Sequence, residues 1–324
     1  MPEADALIGA YAFDHEKGVR EVGWEEVDSW GPGEGFLWIH LDRRAPETRD
    51  WLKKHSGLDA ITCEALLAEE TRPRTLTLGN ALLVILRGVN LNPGADPEDM
   101  VSVRIWVDAD RIITMRGQKL LAIQDIRDCI SEGRGPASTG EFLALLAARL
   151  VERMGPAVDS IDDELDELEE GLLEKQSREL RTTLSSLRRQ AVALRRHLSP
   201  QRDVMTRLSI ESLPWLKDAD RARLRETADR TTRYVEDLDA ARERAAVTQE
   251  ELMARAQDRM NRNMYVLSMV AAVFLPLGFV TGLLGINVGG IPGSESSIAF
   301  FVVCILLGAV AAAEIALFYF RRWL

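Results

Sequence analysis

Asn287 ends a long apolar stretch as the last residue of the triplet Gly285, Ile286 and Asn287. Its carboxamide offers a neutral oxygen that can accept hydrogen bonds from water around an ion, while the glycine lets backbones approach and the helix end. Several copies around an axis would form a ring of such oxygens. That ring suits a hydrated cation, because hard divalent ions give up water reluctantly. Direct zinc coordination would call for His or thiolate ligands, and residues 263–285 contain neither. The competing reading of Asn287 is a plain helix cap.

Glu314 is a carboxylate inside a second apolar stretch. Such a group is costly in lipid and is by default functional, as a proton- or ion-coupling site would be. It also lies about two turns from Arg321 and Arg322, where a long side chain can reach the interface or pair with them. A third candidate is the run at 159–170, which holds eight acids in twelve residues. Asp159, Asp162, Asp163, Asp166 and Glu170 share helical spacing and could attract or bind a cation, although a solvated helix face explains the same pattern. His15, His40, His55 and His197 show no ligand spacing. Cys63, Cys129 and Cys304 are far apart with no CxxC pair. They indicate neither a disulfide framework nor a thiolate zinc site, and a reducing compartment follows for the large domain. There is no nucleophile motif, P-loop or dinucleotide fingerprint, so the expectation is a protein that is not an enzyme and carries no resident cofactor.

The elements that hold these residues are membrane spans. No charge occurs from Asn263 to Ser294, and Met264 to Leu284 is almost wholly apolar. Twenty-one helical residues rise about 31 Å, enough to cross a hydrocarbon core of ~30 Å. A second span runs from Ile298 to Phe320, and the loop between is too short to cross back, so the two form a hairpin. Arg255, Arg259 and Arg262 precede the first span, Arg321 and Arg322 follow the second, and the loop has no Lys or Arg. Both termini are therefore expected in the cytoplasm. The opening MPEADALIGAYAF has acids where a signal peptide needs a basic region, which predicts that the N-terminus is not exported.

The net charge of −11 is unevenly spread, because residues 261–324 carry +1 and residues 1–260 carry −12. An acidic soluble part argues against a nucleic-acid partner, which would need a basic face, and is compatible with attracting cations. Short β-rich runs at 7–13, 35–41, 81–91, 101–108 and 111–117 alternate with helical patterns at 46–56, 59–70 and 119–132, predicting a mixed α/β domain. From Ser138 onward the pattern is helical, with a break expected at Pro200. Pro214 fits the first turn of a helix, and neither glycine nor proline recurs until Pro276. One helix over about 215–284 would be roughly 105 Å long and must pack against other long helices. Its soluble half presents a coiled-coil seam of Leu224, Ala228, Thr231, Val235, Leu238, Ala245, Leu252 and Ala256. The same phase continues as Met264, Leu267 or Ser268, Ala271, Leu275, Gly278 and Gly282. Spacing alone leaves close helix packing, including the GxxxG pair Gly278 and Gly282, beside pore lining. Two spans cannot enclose a pore, so a transport protein of this kind would need several subunits around an axis.

The segment LPLGFVTGLLGINVGGIPG, with its Gly285-Ile286-Asn287 triplet 37 residues before the end of the chain, resembles the CorA superfamily of divalent-cation transporters. Its signature is a Gly-x-Asn triplet closing the first of two C-terminal spans. Ile at the middle position followed by NVGGIPG resembles the ZntB-like zinc transporter branch, and the resemblance covers the layout of the whole chain. It implies an α/β cytoplasmic domain (1–135), a cytoplasmic helical domain and stalk (136–262), a first span as pore helix (263–285), a periplasmic loop (286–297), a second span (298–320) and a cytoplasmic tail (321–324). It further implies a homopentamer in a bacterial inner membrane. By position the resemblance makes Gly285, Ile286 and Asn287 the entry filter and Asn261 the inner pore mouth. Met264 and Leu267 become the apolar constriction, and Leu275 and Gly278 further pore-facing sites. The cargo it implies is a divalent metal cation, most of all zinc, with proton coupling as a driving force. Gly278 departs from the hydroxyl residue common in magnesium transporters, and the loop, with Glu295 as its one acid and no aromatic, departs from the magnesium branch too. The alternatives are a magnesium, cobalt or nickel channel of the same superfamily, and a structural or signalling protein whose hairpin only anchors a coiled coil.

Overall fold

The computed structural model describes residues 6–14, 18–31, 33, 35–69, 71–171, 177–285, 293 and 296–320. They fall into two compact units, Met1–Gln249 and Glu250–Leu324. In the first unit, seven strands among the described residues form one sheet: β1 (Leu7–Asp14), β2 (Gly18–Glu21), β3 (Phe36–Asp42), β4 (Arg74–Leu78), β5 (Ala81–Gly88), β6 (Val101–Val107) and β7 (Arg111–Arg116). The order across the sheet is β2-β1-β3-β7-β6-β5-β4. Only the β3–β7 pair is parallel, and it is the long-range pairing that joins the two antiparallel groups, with Leu37 opposite Arg111 and Leu41 opposite Met115. β3 reads FLWIHL because it is buried on both faces, where a continuous apolar run replaces alternation.

Helices α1 (Trp24–Ser29), α2 (Pro46–Lys54) and α3 (Ala60–Leu67) cover one face. Val27, Trp51, Leu52, Cys63 and Leu66 pack there against Ala10, Ala12, Leu37, Ile39, Leu41, Leu83 and Ile113. The opposite face meets α4 (Leu121–Ser131) and α5 (Thr139–Glu152), with Phe142 of α5 4.8 Å from the ring of Trp38. Ser138 caps α5 by accepting from the Glu141 N–H, while Glu141 accepts from the Ala137 N–H, a reciprocal arrangement that satisfies two end donors. His40 lies on this side fully buried, its Nδ1 2.8 Å from Thr114 Oγ1. Burial, reinforced by the charges of Arg116 and Arg127, pushes its pKa down to about 3, so it is a neutral core residue.

The rest of the first unit is helical: α6 (Gly155–Glu170), α7 (Ser177–Ile210) and the start of α8 (Asp218–Leu284). The break expected at Pro200 is not there, since Pro200 lies inside α7. A missing N–H is tolerated because that turn is docked: Leu198, Val204 and Met205 are buried, and the Gln201 amide accepts from the Arg87 N–H at 2.7 Å and donates to the Arg87 carbonyl at 3.0 Å. Pro214 likewise stands in a turn before α8 rather than in its first turn. The seam residues Leu224, Ala228, Thr231, Val235, Leu238 and Ala245 are buried already within one chain. Helices α5, α6 and α7 lie against this part of α8, and Glu141 of α5 pairs with Arg223 at 2.7 Å. A Cβ added at Gly155 of α6 would meet the Tyr234 hydroxyl at 2.8 Å, and Arg195 of α7 pairs with Asp239 of α8 at 2.5 Å. The second unit contains the remainder of α8 and α9 (Ala299–Phe320).

Candidate ion path

From Met264 onward α8 is almost wholly apolar on all sides, and so is α9 apart from Glu314. Mean hydropathy reaches 2.2 in α8 and 2.6 in α9, and none of either window is buried within the chain. A helix that is greasy all round needs lipid or other helices for its surface. Met264 is 60% exposed, and Leu267 and Leu275 are each 70% exposed. Apart from the helix's own nearby backbone, no atom of the described residues lies within 4 Å of where a Cβ would sit on Gly278 or Gly282. At about 100° per residue, Asn261, Met264, Leu267, Ala271, Leu275, Gly278 and Gly282 share an arc of roughly 120°.

The two ends of that arc have distinct chemistry. At one end the Gln257 amide donates to Asn261 Oδ1 at 3.1 Å, one turn along an exposed surface, so the Asn261 carbonyl is oriented by a neighbour. At the other, the Gly285 N–H is shared between the carbonyls of Thr281 at 3.0 Å and Gly282 at 3.2 Å, which tightens and closes the last turn. Ile286 and Asn287 lie outside the described residues, as do Glu295, Arg321 and Arg322. Two further features of the helix lie in its backbone bonding. Pro276 lacks an N–H, so the helical bond to the Ala272 carbonyl is missing. Thr281 donates its hydroxyl proton to the carbonyls of Leu277 at 2.9 Å and Gly278 at 3.1 Å, so that proton is spent on backbone. Both could have been found from the spacing of Pro276, Leu277 and Thr281.

Glu314 is half-buried on α9, and its Oε2 has no hydrogen-bond partner among the described residues. The acidic run forms the outer face of α6, whose inner face is Val158, Ile161, Leu165 and Leu168. Asp159, Asp163 and Glu170 are exposed. Asp162 and Asp166 instead converge with Glu169 on Arg244 of α8, at 2.6 Å for Asp162 and 2.8 Å for Glu169. Hydrogen bonds to Glu169 and Asp166 raise the pKa of that guanidinium further. Two of the five acids proposed as a cation-attracting face are thus spent tying α6 to α8. Among the described residues no group of three or more His, Cys, Asp or Glu is placed to hold a metal ion.

Residues 33–322 match the family model of the CorA-like Mg2+ transporter protein. The chain belongs to the CorA family. It is 43% identical over 323 residues to the divalent cation transporter CmaX of Pseudomonas aeruginosa, covering 98% of this chain and 97% of that protein. It is 39% identical over 300 residues to the zinc transport protein ZntB of Pectobacterium carotovorum subsp. carotovorum, covering 93% of this chain and 90% of that one. Among solved structures, full-length CmaX superposes with a TM-score of 0.85 at 41% identity, over 99% of this chain and 98% of that one. The complete CorA magnesium transporter of Methanocaldococcus jannaschii superposes with a TM-score of 0.83 at 20% identity over 99% and 100%, a likeness of fold. This CorA-family chain is a membrane transporter of divalent cations and not an enzyme. A soluble α/β domain, a long helix and a C-terminal apolar helix are the family fold.

Proposed function

We propose that this CorA-family chain carries zinc across a bacterial inner membrane, through a pore built from one α8 face of each of five subunits and driven by a proton gradient. The observation that carries the reading is the arc on α8, from Asn261 to Gly282, which stays uncovered in a single chain and so is available to neighbours around an axis. Met264 and Leu267 would form apolar rings that close the path by excluding water, with Leu275 and Gly278 lining its middle and Gly285, Ile286 and Asn287 its entry. Zinc is favoured by the relation to ZntB and by the Gly-Ile-Asn triplet. Magnesium, cobalt or nickel is the second reading, supported by the family description itself. The exposed acids Asp159, Asp163 and Glu170 would contribute to the cation-attracting field of the soluble domain.

The coupling proposal rests on Glu314, whose half-buried carboxylate oxygen lacks a hydrogen-bond partner among the described residues. Purified chain in proteoliposomes, given zinc, magnesium, cobalt and nickel with and without a pH gradient, should pass zinc several-fold faster than magnesium and respond to the gradient. Glu314→Gln should keep zinc flux but lose that response. Zinc flux no greater than in empty vesicles while magnesium passes would transfer the cargo to the second reading.

The arginines flanking the two spans support a reading with both termini on the cytoplasmic side. A cysteine introduced at Ser294 should then react with an impermeant thiol reagent added outside intact cells, and one introduced at Leu324 should not. The opposite pattern would reverse the orientation.

A further inference from the structure

Along α9 the half-buried residues are Ala299, Val303, Leu307, Ala311, Glu314 and Phe318, and every other residue from Phe300 to Phe320 is exposed. Steps of three and four make them a single stripe. On α8, from Met264 to Gly285, the half-buried residues are Met269, Val273, Leu277 and Val280, again one stripe among exposed neighbours. The remainder of α8 and α9 are the helices of the second unit, and no strand among the described residues belongs to it. The two stripes therefore cover each other.

At about 100° per residue, the α8 stripe is centred roughly 180° from the arc that runs from Asn261 to Gly282. Its side of the helix faces away from any path lined by that arc. Glu314 is the charged member of these stripes, and its Oε2 is buried with no hydrogen-bond partner among the described residues. It stands fifteen residues beyond Ala299, roughly 22 Å along the axis. In an antiparallel hairpin whose outer ends are level, that depth is reached on α8 at about Met269. Toward the start of the span, Arg262 continues the α8 stripe and Tyr265 flanks it, both exposed. These are the charged and titratable groups that α8 brings nearest to Glu314, while Cys304 and Tyr319 of α9 lie off the stripe.

We propose that Glu314 takes up and releases the coupling proton inside the seam between α8 and α9, behind the pore helix and off the route of the cation. This deepens the reading given above and rests on its placing of the path along α8. A carboxyl that gains or loses a proton there changes the charge held between two apolar stripes, where charge is costly. The charged form is relieved by parting the stripes or by reaching toward Arg262 and Tyr265, and the neutral form lets them close. Either shift moves α8, whose opposite face carries Met264 and Leu267, the apolar rings that close the path. The proton thus acts on the cation through the position of a helix, with no binding site in common.

A lipid-soluble carbodiimide, which attacks protonated carboxyls in apolar surroundings, tests this on the full chain in proteoliposomes, with the labelled residue located by mass spectrometry. Glu314 should be labelled and Glu314→Gln should not. Saturating zinc, or magnesium where that is the ion that passes, should change the rate at Glu314 by less than about twofold, because a cation in the path does not reach the seam. Ala271→Glu puts a carboxyl on the arc itself, and there the same ion should slow labelling about fivefold or more. Oligomer size is measured for each variant, and Leu275→Glu replaces Ala271→Glu if the latter does not assemble. Glu314→Asp keeps a titrating group, so the pH of half-maximal flux should shift by about 0.4 unit or more, the difference between the two free carboxyls. A merely structural side chain would leave that pH in place. Protection of Glu314 as strong as that at the arc, no labelling of Glu314 while the arc carboxyl is labelled, or an unshifted pH in Glu314→Asp would each overturn the proposal. Protection at neither position would take the path off the arc, which overturns the underlying reading and the proposal with it.

Discussion

Asn287→Ala is expected to lower zinc flux in proteoliposomes by roughly tenfold or more while the oligomer keeps its size. The substitution removes a carboxamide from every subunit at once. One hydrogen bond contributes about 1 kcal/mol net, and a factor of ten needs about 1.4 kcal/mol, so the loss of two or more such contacts to a hydrated ion is enough. Asn287→Asp separates recognition from conduction. It keeps the size and adds a ring of negative charge, which should tighten cation binding and slow release, because conduction requires an ion to leave as readily as it enters. The expected pattern is therefore stronger binding with lower flux for Asp, and loss of both for Ala. Oligomer size and membrane content must be measured alongside, since a folding defect imitates lost transport. Wild-type flux with unchanged ion preference in Asn287→Ala would make the triplet a helix terminator and remove the entry filter from this position.

Gly278→Leu is the second substitution with a large expected effect, and it distinguishes the two readings of the small residues in α8. Among the described residues a Cβ at Gly278 has no neighbour within 4 Å outside the helix's own backbone, so there is open space for the new side chain to start into. Helix propensity, if anything, improves. A loss is then expected to arise between subunits. If Gly278 faces an axial path, a ring of isobutyl groups narrows and dries it, and flux falls by about tenfold or more with the oligomer intact. If Gly278 and Gly282 instead bring helices into close contact, the same substitution separates them and the oligomer dissociates. Val280→Leu, on the opposite side of the helix at about 160° from Gly278, serves as the control and should leave flux unchanged. Dissociation of the Gly278→Leu protein in a detergent that preserves the parent oligomer would decide for packing.

The candidate path was legible in the sequence because membranes make patterns strict. A span must be apolar for about twenty residues, so both helices stand out, and a helix free of glycine and proline from Trp215 to Leu275 has nothing to interrupt it. The buried seam from Leu224 to Ala245 was legible for a related reason, since a repeating contact with parallel neighbours imposes a repeating spacing. What spacing could not name was the neighbour. Helices α5, α6 and α7 of the same chain lie against α8, through contacts between residues as far as 82 positions apart.

In the α/β domain the five strands with strong apolar runs were evident, whereas β2, reading GVRE, and β4, reading RTLTL, were not. These are the two edges of the sheet, and their strand state comes from hydrogen bonds donated and accepted by a neighbour more than from their own composition. Pro200 misled for the opposite reason. Its local cost is real, but Leu198, Gln201, Val204 and Met205 are held against the rest of the unit, so packing outweighs the lost helical bond. Charge shows the same division. The sequence alone determined that the soluble part is acidic, that two helices suit a bilayer and that the Gly-Ile-Asn triplet stands at the end of the first. Only the tertiary structure decided that Asp162 and Asp166 are spent on Arg244, and that the Gln201 amide meets the backbone of Arg87. Local spacing governs the face of a helix, but which charges meet is settled by long-range strand and helix packing, which brings together residues with no periodic relation to one another.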